Sequence, residues 1–143
     1  MNAPLMTPPV DGRRLRSETS RLRIIEAMIA LVTEGHGLPS AEAVAARAGV
    51  GLRTVFRLFE DMDGLYRGMQ AVLIVSLGDM LESPIEARNW REALDILLER
   101  RAGVFETILP LQIAADSQRH RSPALQEGRA RLVGMQRQML LDV

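Results

Sequence analysis

Three residues in one short stretch, Arg53, Thr54 and Arg57, carry groups well suited to meeting an anion. At 100° per residue they share one side of a helix with Leu58, while Leu52, Val55, Phe56 and Phe59 share the other. A guanidinium donates in a planar fork that fits phosphate and the guanine edge, and a hydroxyl serves phosphate or base. The stretch therefore reads as a short helix with an apolar face for a core and a cationic face for nucleic acid. Other chemistry has less to work with. The chain has no cysteine, which excludes disulfides and thiolate metal sites. His120 follows Asp116 by one helical turn, but a third metal ligand is lacking and the pair reads as solvated. His36 reads as a spacer between helices. Gly-rich phosphate loops and paired carboxylates in an apolar setting are both missing, so the expectation is no catalytic residue, no metal, no cofactor and no enzyme.

The elements that must position these groups are helical. Of the 143 residues 47% are hydrophobic but only 3% aromatic, which favours an all-α fold over strands, since strands recruit β-branched and aromatic side chains. The start, Met1 to Val10, lacks the apolar run of a signal peptide. The strongest apolar run, Ala71 to Leu77, is too short to span a bilayer. The expected setting is cytoplasmic, without a membrane. Acidic and basic residues balance at 18 each. Their distribution does not: five arginines (Arg13, Arg14, Arg16, Arg21, Arg23) stand against two acids between Asp11 and Ile25, so the amino-terminal end is the basic one.

Along the chain, residues 1–16 read as a flexible basic arm. A first helix runs from Ser17 to about Glu34, with Leu22, Ile25, Ile29 and Val32 at helical spacing, and Gly35-His36-Gly37 stops it. Ser40 reads as the N-cap of a second helix over Ala41–Ala48. Ala48-Gly49-Val50-Gly51 is a tight turn, and a third helix covers Leu52–Phe59. Asp61 and Asp63 favour the start of a fourth at about Met62, running to Leu81. A fifth begins near Arg88, Pro110 breaks it, a sixth covers Leu111 to about Gln118, and a seventh runs from Pro123 to the chain end.

Two short helices joined by a glycine turn, the second with a cationic outer face, make a helix-turn-helix, whose second helix enters the major groove. Here the sequence resembles the tetracycline-repressor (TetR) family of bacterial regulators. The stretch that carries the resemblance is Arg23-Ile24-Ile25-Glu26-Ala27, then SAEAVAARAGVGLRTVFRLF from Ser40 to Phe59, then Asp63-Gly64-Leu65-Tyr66. The resemblance implies a helix-turn-helix DNA-binding domain over 17–66, with Ser40 capping the second helix against a phosphate. Arg53, Thr54 and Arg57 would face the groove. Phe56 stands where the family often has tyrosine, Gly51 where it has a serine or threonine cap, Leu58 where histidine is common and Met62 where a lysine reaches a phosphate.

Residues 67–143 would form a helical ligand-binding and dimerisation lobe, and against the family pattern that lobe reads as C-terminally truncated. Met69, Leu73, Trp90, Leu94, Phe105 and Met135 are its candidates for lining an effector cavity. The implied function is a sequence-specific transcriptional regulator, a repressor released by a small apolar effector and binding double-stranded operator DNA, with a homodimer expected of the full-length protein. The alternative is a regulator fragment or adaptor that binds a protein partner and not DNA.

Overall fold

A computed structural model describes residues 12–35 and 37–141, leaving aside the side chains of 79–82 and 139–141. It contains α1 (Gly12–Thr33), α2 (Ala41–Ala48), α3 (Leu52–Phe59), α4 (Met62–Glu82), α5 (Trp90–Asp116), a 3₁₀ turn at Arg119–Arg121 and α6 (Pro123–Leu141). The fold is all-α, with no strand among the described residues. None of the described helices is long and apolar enough to cross a membrane.

The first helix begins at Gly12 and not at Ser17. Residues 12–16 of the expected arm are therefore helical, while the rest of that arm, and His36, lie outside the described residues. Leucine and arginine are good helix formers, and an Arg14–Glu18 pair at 3.1 Å ties the first turns together. The buried face of α1 centres on Ile24, Ile25, Met28 and Val32, whereas Leu22, expected inside, is 52% exposed. Ile24 and Met28 lie on the axis of the stripe, and Leu22 falls beyond its edge.

Local signals set the next three boundaries. The Ser40 hydroxyl accepts the Ala43 amide at 3.3 Å, the N-cap bond that satisfies an orphan donor. Gly49 closes α2 in the left-handed region at φ 66°, and the Val50 amide reaches back to the Ala45 carbonyl at 3.0 Å. After α3 the chain turns at Glu60, where φ is 67° and ψ is −56°. The Asp61 amide donates to the Phe59 carbonyl at 2.8 Å, so residues 59–61 form a γ-turn of the rare, strained hand. The Asp61 carboxylate then caps α4 by accepting the Gly64 amide at 2.7 Å. Glu60→Gly is expected to stabilise the fold by about 1 kcal/mol, strain relief outweighing glycine's greater unfolded-state entropy. A urea midpoint that fell or stayed put would show that Glu60 holds this turn without strain.

One buried cluster draws on all six helices: Met28 and Val32 of α1, Val44 of α2, Phe59 of α3, Leu65 of α4, Leu111 of α5 and Leu125 of α6 all belong to it. A smaller one joins Leu77, Val104 and Ile108. The expected break at Pro110 does not occur: α5 runs unbroken through it, so the separate helix from Leu111 to Gln118 is absent. Proline inside a helix costs about 3 kcal/mol. Burial of Ile108, Leu111 and Ala114 on either side of it offsets that cost, at about 1.5–3 kcal/mol for each large apolar side chain.

The seam between α4 and α6 is polar. The buried Ser122 hydroxyl donates to Asp63 at 2.5 Å, Gln70 donates to the Ala124 carbonyl at 3.1 Å, and Arg67 pairs with Glu127 at 3.2 Å. The outer edge of α5 is apolar and uncovered, with Trp90, Leu94, Leu98, Phe105, Leu109 and Ile113 all between 44% and 69% exposed.

Candidate nucleic-acid interface

Only eight residues long, α3 could not hold its shape alone. Val55 and Phe59 are buried beneath it, with Leu58 and Met62 packed against the same cluster. Two arginines of α1 fasten the pair of short helices from the other side. Arg21 donates to the Leu58 carbonyl and lies over the Phe59 ring, 4.3 Å from its centroid. Arg23 donates to the Ala48 carbonyl at 2.9 Å. Each guanidinium meets the carbonyl end of a helix, where the macrodipole favours a cation. Spacing alone counted these two arginines toward a basic end. Their partners make them structural fasteners, and only the contact between elements distant in sequence reveals it.

The outward face of α3 consists of Arg53, Phe56 and Arg57, all exposed, with Thr54 half-buried at its edge. This corrects the expected division of the helix. Phe56, placed with the core residues, is 40% exposed, and Leu58, placed with the arginines, packs inward. Positions 55, 58 and 59 form one ridge at i, i+3 and i+4, and 53, 56 and 57 stand opposite. Neither Arg53 nor Arg57 has a hydrogen bond or ion pair among the described residues, in contrast to Arg47, which a carboxylate fork from Glu34 engages. That carboxylate holds the Arg47 guanidinium above its ordinary pKa.

At the start of α3, Gly51 offers no side-chain cap. Ser40 lies exposed at the start of α2. Beside it, the Glu42 carboxyl is held below its usual range by a backbone amide and the Ser40 hydroxyl. Met62, where the family pattern has a phosphate-reaching lysine, is half-buried against the core.

A second candidate site is a cavity of about 100 Å³ between α4, α5 and α6, walled by Met69, Leu73, Leu77, Ile108, Leu111 and Leu132. Two of the expected effector residues, Met69 and Leu73, line it. Trp90, Leu94 and Phe105 do not: they lie on the exposed edge of α5, because that helix is apolar on both sides and its neighbours cover only one. Met135 is half-buried and also stands outside the lining. Spacing missed the polar rim of the cavity, Gln70, Gln112, Asp116, Arg119 and Arg129, which comes together only when α5 and α6 fold back on each other. Asp116 faces arginines there and no group of three or more metal-binding side chains forms among the described residues.

Compared with known proteins, the chain matches no family model, no curated protein and no solved structure.

Proposed function

We propose that this protein is a sequence-specific DNA-binding transcriptional regulator, a repressor that releases its operator when a small molecule occupies the cavity between α4, α5 and α6. In this reading α2 and α3 are a helix-turn-helix and α3 enters the major groove, within a DNA-binding lobe that α4 joins to an effector lobe. The observation that carries it is the outward face of α3, where Arg53 and Arg57 stand exposed and without partners among the described residues, on a helix fixed from behind by the core, Arg21 and Arg23. The resemblance in residues 20–66 supports the same reading. An effector would act by favouring one of two arrangements with different operator affinity. The α4–α6 seam suits that role, since it ties the cavity wall to the residues that follow α3.

The test is selection from a random duplex pool, followed by anisotropy titration of the recovered sequence at several salt concentrations. The expected result is a defined sequence, bound with a log–log salt slope of about −0.9 per phosphate contacted. Recovery of no preferred sequence, or binding indifferent to salt, would sink the reading. The alternative, an adaptor that binds a protein partner, draws on the uncovered apolar edge of α5 and expects no DNA shift at all.

A further inference from the structure

The cavity between α4, α5 and α6 has a chemistry of its own at one end. Its walls are almost wholly apolar, but Arg119, Arg129 and Asp116 gather at its rim. Both arginines approach the same carboxylate oxygen: Arg119 Nη1 lies 2.7 Å from Asp116 Oδ1 and Arg129 Nη1 lies 3.8 Å from it. Arg129 also donates to the Gln112 side-chain oxygen at 3.3 Å. Two guanidiniums thus share one carboxylate, leaving one positive charge in excess beside an apolar chamber. Arg129 is the loosely held member, and its side chain is 46% exposed, so it can turn to another acceptor with little loss.

We infer that the cavity takes an amphipathic monoanion, a short apolar chain or ring ending in a carboxylate, with the carboxylate on Arg129 and Arg119 and the apolar part among Met69, Leu73 and Leu132. Using the cavity as an effector site rests on the regulator reading; the class of molecule follows from the rim and the walls. A carboxylate and a guanidinium match in a fork, and the pair gains strength where one side is walled from water. An amine would meet a rim with one positive charge in excess, and a plain hydrocarbon would make no use of that charge. At roughly 10–15 Å³ for each water-sized group, the cavity holds on the order of seven to ten such groups, the size of a six- to eight-carbon tail. The effector expected from sequence as apolar is by this account apolar only at one end.

Calorimetric titration of the full chain with octanoate, 1-octanol and octylamine at neutral pH tests the inference. Octanoate is expected to bind about ten- to a hundredfold more tightly than 1-octanol, with octylamine weakest. Arg129→Gln should bring octanoate down to the level of 1-octanol and leave 1-octanol unchanged. Asp116→Asn should tighten octanoate by removing the competing carboxylate. Leu73→Trp fills the chamber and should abolish binding of all three, separating the cavity from the apolar edge of α5; Leu132→Phe takes its place if that variant does not fold. Equal affinity for octanoate and 1-octanol, preference for the amine, no binding of any of the three, or octanoate binding that survives the filled chamber overturns the inference. DNA binding by the same preparations is measured separately. Carboxylate selectivity without DNA binding rejects only the regulator reading, and DNA binding without carboxylate selectivity rejects only this inference.

Discussion

Arg53→Ala is expected to weaken binding to the selected DNA roughly five- to 150-fold and to relax base preference at one position, as a bidentate arginine–guanine contact worth about 1–3 kcal/mol of discrimination implies. Arg53 is exposed on the outward face of α3 and engages no other group among the described residues. Removing it therefore leaves the packing of Val55 and Phe59 untouched, and thermal stability should stay within about 0.5 kcal/mol of the parent. Arg57→Ala, one turn further along, provides the contrast. If Arg57 rests on a phosphate, its loss weakens binding to all sequences alike and lowers the salt slope by about one unit. Wild-type affinity and preference in Arg53→Ala would mean that α3 does not lie in the groove.

The largest effect on stability is expected at Gly64. A Cβ there would sit 2.0 Å from the Phe59 carbonyl oxygen and 3.1 Å from its carbon. Neither atom can yield alone, because that carbonyl is the acceptor of the γ-turn and the Gly64 amide is the one Asp61 caps. Gly64→Ala must open the joint between α3 and α4, at about 3 kcal/mol or more, beyond ordinary overpacking. The melting temperature should fall by roughly 10 °C or more. Gly78 and Gly134 sit inside α4 and α6, where an added Cβ meets nothing within 4 Å. Alanine at either should stabilise by about 0.5–1 kcal/mol. An unchanged melting temperature in Gly64→Ala would mean that the two helices meet less closely than described.

Where a boundary depends on a local signal, sequence was enough to place it. Ser40, Gly49 and Asp61 each act through their own backbone or a neighbouring turn, and α2 begins and ends, and α4 begins, where those residues put them. The errors lie where a distant neighbour decides. In a helix of two turns, Phe56 and Leu58 compete for the apolar side on equal terms, and only the core assembled from the other helices draws Leu58 inward. At Pro110 the local rule predicts a stop, but the burial of Leu111 and Ala114 belongs to a core assembled from the other helices. Trp90, Leu94 and Phe105 have the spacing of cavity residues, and nothing within α5 says which of its two apolar sides its neighbours cover. The rim of the cavity was least legible: Asp116 and Arg129 lie on different helices, and no spacing rule links them.

The exposed edge of α5 also decides what light can report about this protein. The chain has a single tryptophan, and Trp90 is 69% exposed, with the Arg91 guanidinium 5.1 Å from its ring centroid. At that exposure its emission from the folded protein is expected to lie close to that of an indole in water, so a denaturant titration followed by tryptophan emission should be nearly flat while circular dichroism records the loss of helix. The single tyrosine, Tyr66, is buried at 8% exposure, and its phenol leaves the core on unfolding. The same indole becomes a sensitive beacon for any surface that comes to lie against α5, since covering it shifts the emission to the blue with no label attached.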